Sequence, residues 1–330
     1  MSSMPFKILR KHRIILGNLP LLGISYQGIT KDNEYKERFR NKAETKKVIR
    51  TALNHGVKFF AASSQTFNSL ALNYINVVKE IEVEDKKEIW LIPCIDVPLR
   101  FKGKRVDDYQ RWKTHLEYEI KQYEKMVLQR YIEDPILNCR QGWKEGLNSA
   151  KPFKHAELVN DLGIDWKDWE VSVNEFSNYN LGWIEPGSGT DFLAISRMDL
   201  LEELLDKTSQ MGHRILLGSH HIGISHQLIS NRIVKGYDGF ITPVNKLGAM
   251  MFPTQKTVET AIANIKKQGK LVVAIKPFAG GRISPEEALP YVFKKVGADA
   301  CMVGVGSAAE AEIDIQVAEK VLASLPFRSR

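Results

Sequence analysis

Cysteine is scarce in this chain. Cys94, Cys139 and Cys301 are the only three, and an odd number at wide spacing excludes a framework of paired disulfides and a cysteine-based zinc site. Cys94 and Cys301 fall in strand-like runs, so the expected compartment is the reducing cytoplasm. Long apolar runs are also missing. The run Ile14–Ile24 follows a basic stretch, Lys7–Arg13, but Gly17, Asn18 and Pro20 interrupt it and no small-residue cleavage site follows. It reads as a β-hairpin leading into a first strand rather than as a secretory signal, and nothing is long enough to span a membrane. A block of one charge is absent too. The net charge of +8 comes from basic residues spread along the chain and interleaved with acids, so neither nucleic acid nor a membrane surface is an expected partner.

What the chain does have is apolar content and strand-to-helix alternation. At 330 residues, with 43% hydrophobic and 26% charged residues, it can bury a large core. The run Leu271–Ile275 is wholly apolar and rich in β-branched residues, as in a parallel strand buried on both faces. It ends in Lys276-Pro277-Phe278-Ala279-Gly280-Gly281, after which Ser284-Pro285-Glu286-Glu287 carries the signature of a helix start. A further run, Ala300–Val303, leads into Gly304-Val305-Gly306-Ser307 and an Ala/Glu helix start. Two glycine-bearing turns in succession suggest the phosphate-binding corner of a (β/α)8 TIM barrel, where backbone N–H groups face an anion. Tight βα turns alone would also account for the glycines.

The rest of the chain fits the same α/β class. Strands are expected at Leu21–Ser25, Lys58–Ala62, Ile89–Ile95, Tyr179–Ile184, Arg214–Leu217 and Gly239–Thr242. Helices are expected at Glu44–His55, Ala71–Glu80, Asp107–Ile132 and Asp199–Met211, with Lys31–Lys42 as a loop. The segment from about 135 to 178 holds Trp143, Trp166 and Trp169 and is too aromatic for a disordered linker. The expectation is one TIM-barrel domain over residues 1–330, with that segment inserted before strand four and lying over the C-terminal face.

In such a barrel, chemistry gathers at the C-terminal ends of the strands. Those ends carry Tyr26, Ser63, Asp96, Glu185, His220, His221, Asn245 and Lys276. Glu185 and Asp96 with a histidine could hold a metal, although no metal-binding spacing is present, and His220 with Glu185 could form an acid–base pair. Lys276 could form a Schiff base or meet a phosphate.

The text VVAIKPFAGGRISPEEAL, followed by VGVGSAAEAEID, resembles the seventh and eighth βα units of the aldo-keto reductase superfamily, particularly its divergent bacterial and archaeal branches. ETKKVIRTALNHGVKFF resembles that family's first helix and second strand. The resemblance covers Glu44–Ala62 and Arg214–Leu322. It implies NADP or NAD as cofactor, with Ser225 and His226 in the places of the Ser and Asn that hold the nicotinamide carboxamide. It also sets Asn245 in the strand-six pattern and Gly280, Gly281, Gly304, Gly306 and Ser307 around the phosphates.

The catalytic positions depart from the family. Ala61 and Thr66 stand where it has an Asp and a proton-donating Tyr, no Lys ends strand three, and Glu185 stands where a His is usual. Ile241 and Ile275 occupy the places of the Gln and the aromatic that contact nicotinamide. Three readings follow. One is an aldo-keto-reductase-like oxidoreductase with replaced catalytic groups. Another is a non-redox lyase, isomerase or hydrolase acting on a phosphorylated or acidic small molecule, and the third is a non-catalytic ligand-binding barrel.

Overall fold

The computed structural model describes residues 4–123 and 126–325. Eight parallel strands form the expected barrel: β1 (Ile14–Gly17), β2 (Phe59–Ser63), β3 (Trp90–Cys94), β4 (Asn180–Leu181), β5 (Leu216–Gly218), β6 (Gly239–Pro243), β7 (Leu271–Ile275) and β8 (Ala300–Gly304). Their spatial order is β4-β3-β2-β1-β8-β7-β6-β5. The two ends of that order meet through a parallel bridge between Ile184 and Ile215, with Ile184 N donating to Arg214 O at 2.8 Å and Leu216 N to Ile184 O at 3.0 Å. Closure of this kind leaves no unpaired sheet edge.

Most of the strands are short and apolar because they are buried on both faces; β4, with Asn180 exposed, is the exception. Inside the barrel, Ile15, Phe59, Ile92, Trp183, Leu216, Ile241, Val273 and Ala300 fill the lumen, and Leu9 of the helix Met4–Lys11 joins them. Outside, alternate residues of the strands pack under the surrounding helices, as Leu16, Phe60, Leu217, Phe240, Val272 and Val303 do.

Strand one lies earlier than expected. Ile14–Gly17 pairs in parallel with β8 and β2, so the expected hairpin over Ile14–Ile24 does not form, and Leu21 and Leu22, expected to open the strand Leu21–Ser25, belong instead to a short 3-10 turn, Leu19–Leu22. Pro20 fixes its opening and Gly23, with φ 80°, ends it. The expected loop Lys31–Lys42 is mostly a helix, Ile29–Arg40, which buries only Tyr35 and Phe39. Two apolar residues four positions apart are a weak periodic signal, and Lys31–Glu34 and Arg38–Glu34 pairs carry its outer face. The long pattern Asp107–Ile132 forms two helices, Asp108–Tyr123 and Met126–Glu133; Glu124 and Lys125 lie outside the described residues.

The excursion between β3 and β4 has different bounds from those expected. The helix Trp166–Asn174 belongs to the ring around the barrel. Its Trp169 is buried and donates to Thr208 Oγ1 of the helix Met198–Gln210 at 3.2 Å, and Lys207 lies over the Trp166 ring. The excursion proper is therefore the earlier stretch, from the strand Leu99–Phe101 to Leu162–Ile164, which pair antiparallel. Its helices carry a core of their own, in which Trp112, Leu116, Tyr131 and Trp143 pack against Met250, Phe252, Ala279 and Ile283 from the turns after β6 and β7. Among the described residues no helix is long and apolar enough to cross a membrane.

Candidate functional site

A cavity of about 1100 Å³ opens at the C-terminal ends of the strands. Of the candidates read from the sequence, Tyr26, Ser63, Asp96, Glu185, His220 and Lys276 line it. His221 does not.

Glu185 extends β4 past its last regular residue. Its N–H donates to Pro93 O at 2.9 Å and its carbonyl accepts from Ile95 N at 2.8 Å, which sets the residue beside Cys94 of β3. The side chain is buried, and burial pushes the carboxyl up from the usual range to about 7. Lys276 opposes that rise, Asp96 adds to it, and a hydrogen bond from the Cys94 thiol again opposes it. The same burial, then Glu185 and Asp96, push the Cys94 thiol well above its ordinary value, so Cys94 is a donor to the carboxylate and not a thiolate. Two glycines make room here. A Cβ on Gly218 would fall 2.6 Å from Glu185 Oε1, and one on Gly187 would fall 2.5 Å from Asp96 Oδ1.

Lys276 follows β7 with φ 55°, a left-handed conformation unusual for a residue with a side chain. Its Nζ is 3.3 Å from His220 Nε2 and 5.1 Å from the centre of the Tyr26 ring. Tyr26 also has a positive φ, 59°. Its carbonyl accepts from Cys139 Sγ at 3.1 Å and from Arg282 Nη1 at 3.0 Å, so the excursion and the turn after β7 hold this loop from two sides. Tyr26 reaches the cavity from that loop and not from a strand end. Burial, then Lys276, pull His220 well below the usual histidine range. The neutral ring accepts from Lys276, and its Nδ1 has no hydrogen-bond partner among the described residues.

The turn carrying His220 is fixed by Asp191, which the sequence reading missed. Asp191 is buried, and its carboxylate accepts from Ser219 Oγ at 2.6 Å, His220 N at 2.7 Å and His221 N at 3.1 Å. It caps the helix Ile222–Asn231 from a distant part of the chain, where an anion is favoured. His221 turns away from the mouth into a buried network. Its Nδ1 is 2.8 Å from Glu119 Oε1, Tyr131 donates to Glu119 Oε2 at 2.7 Å, and the His115 ring stacks on His221 at 3.9 Å.

The residues that the family resemblance assigns to a cofactor are mostly placed elsewhere. Ser225 is inside the helix Ile222–Asn231, bonded to His221 O and Ser219 Oγ. His226 faces Gln268 and Ser230 on the outside of the barrel. Asn245 is fully buried and closes its own turn through Ala249, donating to its carbonyl at 2.9 Å and accepting from its N–H at 2.8 Å. Gly280, Gly281 and Gly304 do line the cavity.

The expected anion cradle after β8 is closed. Gly306 N–H donates to Glu310 Oε2 at 2.7 Å, Ser307 Oγ caps the last helix, Ala308–Ala323, by accepting from Glu310 N at 3.1 Å, and the Tyr35 ring fills the space a Cβ on Gly306 would take. Arg282 is committed to backbone carbonyls of Tyr26, Ala279 and Pro135. The corner is also acidic. Burial, then Glu310 and Glu286, push the Asp314 carboxyl up to about 7. Ser225, His226, Asn245 and the Gly306 N–H, which the sequence pattern assigns to a nicotinamide dinucleotide, thus have partners within the protein.

The metal arrangement considered from Glu185, Asp96 and a histidine is not assembled. His220 faces Lys276, and among the described residues no group of three or more His, Cys, Asp or Glu could hold a metal ion.

Fold and site together define a (β/α)8 barrel whose cavity lies at the C-terminal mouth. No family model and no curated protein matches the chain. Among solved structures it is similar to two from Pseudomonas aeruginosa, each described as a provisionally assigned aldo-keto reductase. One is 11% identical and the other 12%; each match covers 94% of this chain and 90% of that one, with a TM-score of 0.49.

Proposed function

We propose that the mouth is an acid–base site of a non-redox enzyme, a lyase or isomerase, that acts on a small carbonyl-bearing acid. One observation carries the reading: a buried carboxylate poised near neutral pH, Glu185, faces the same cavity as the cation Lys276. A general base works best with a pKa near the working pH, and Glu185 is in that range. In this reading Glu185 takes a proton from the carbon next to the carbonyl. The electron pair of that C–H bond moves toward the carbonyl oxygen, and Lys276, held by neutral His220, stabilises the charge that develops there.

The test is deuterium incorporation from D₂O into a panel of small 2-oxo and hydroxy acids, followed by NMR. The reading expects exchange by the unaltered protein and a loss of roughly 10²–10⁴-fold for Glu185→Gln. Absence of exchange across the panel, or equal exchange by the variant, defeats it.

The size of the cavity, about 1100 Å³, favours a second reading, in which the barrel takes NADP or NAD and acts as an oxidoreductase with replaced catalytic groups. Quenching of protein fluorescence on titration with NADPH and NADH tests it. Saturable binding supports that reading, and its absence leaves the acid–base one.

A further inference from the structure

The cavity is not of one polarity. Lys276 marks one part of it, and the branch lined by Tyr35 and the final helix carries the carboxylates of Glu310 and Asp314. Asp314 lies on the inner face of that helix, among Ala311, Ile315 and Ala318. It is only 8% exposed, it lines the cavity, and it makes no hydrogen bond or ion pair with any described residue. Its carboxyl faces the cavity with no partner among the described residues, so a ligand there can hydrogen-bond to it, and a polar group held this far from bulk water gains from such a companion.

Among the described residues no cation pairs with Asp314. Glu310 spends one oxygen on Gly306 N–H. Arg38, whose guanidinium lies 5.8 Å from the centre of the Tyr35 ring, is engaged with Gly306 O and Glu34. The groups acting on the Asp314 carboxyl, after burial itself, are Glu310 and Glu286, both of the same sign. A positive group in the cavity would be drawn to this concentration of negative charge. The described residues offer no metal-binding set, whereas an ammonium group brings three N–H donors to carboxylates that have free acceptor positions.

We propose that this branch receives an ammonium group of the ligand, so that the molecule handled at Lys276 and Glu185 is an amino-bearing acid. The identity of the molecule rests on the acid–base reading of the mouth; the ammonium site does not. A ligand of this kind spans the cavity with its acid toward Lys276 and its amine toward Asp314.

The experiment is calorimetric titration of the full chain with ω-amino acids from 4-aminobutanoate to 7-aminoheptanoate, each beside the acid of the same length without the amine. At least one amino acid of the series is expected to bind ten times or more tighter than its unaminated partner. Asp314→Asn, which keeps the shape and removes the charge, is expected to abolish that preference while leaving the affinity for the plain acid unchanged. Glu310→Gln, at an exposed position, should reduce it in part. Glu185→Gln should retain the preference, and an ammonium preference in an unaltered protein that shows no proton exchange defeats only the acid–base reading. Equal binding of amino and plain acids, no binding by any member of the series, or wild-type behaviour of Asp314→Asn overturns the proposal.

Discussion

Glu185 Oε1 occupies the place from which a side chain at Gly218 would start, 2.6 Å from where its Cβ would be. The end of β5 therefore has to be bare for the end of β4 to hold a buried carboxylate. Gly218→Ala is expected to push Glu185 out of its seat, lower its pKa toward the ordinary 4.5 as water reaches it, and reduce proton exchange at least tenfold. Carboxyl titration by ¹³C NMR checks the shift, and an unchanged value near 7 would contradict the argument.

The pH dependence of stability follows from the same carboxylate. Its pKa is raised from 4.5 to about 7 on folding, so the folded state holds the proton more tightly than the unfolded chain. That contribution is fully present below about pH 4.5 and is lost as the pH rises through about 7, on the order of 3 kcal/mol in total. Glu185→Gln, which has no charge to bury, should gain stability over the unaltered protein at pH 8 and show little difference at pH 4.5. Urea unfolding at the two pH values measures this.

His220 and His221 are neighbours with different work, and their alanine variants should separate. His221→Ala strips a partner from Glu119, which is fully buried, and should cost about 3 kcal/mol in urea unfolding. His220→Ala should cost less stability and instead change exchange kinetics, because it frees the Lys276 ammonium that His220 now holds. Equal losses of stability would argue against this division.

At Gly306 the outcome is steric. The Tyr35 ring stands where any side chain would go, so Gly306→Ala is expected to destabilise the protein by about 1–3 kcal/mol. Thermal unfolding shows whether it does, and a neutral substitution would mean that Tyr35 yields freely.

How much of this was legible in the sequence depended on the range of the interactions. β6, β7 and β8 were readable because apolar, β-branched runs between turn residues have few other uses. Glu185, His220 and Lys276 were readable as polar residues where such runs end. β1 was displaced because Leu21 and Leu22 look as strand-like as Ile14–Leu16 until Pro20 and Gly23 are weighed. Asp191, Glu119 and His115 were not readable at all: Asp191 acts on residues 28 to 30 positions away and Glu119 on one 102 positions away. The glycines after β8 misled for a related reason. A glycine pattern shows where the backbone can turn, but not whether its N–H groups are free, and here Glu310, four residues on, takes the one at Gly306.

The helix Met4–Lys11 and the packed lumen above it leave the barrel with one open end. Leu9 closes the floor and Trp183, Phe59 and Ile92 stopper the interior, so a proton on Glu185 can reach bulk water only through the mouth. A ligand seated there would act as a cork as well as a reactant.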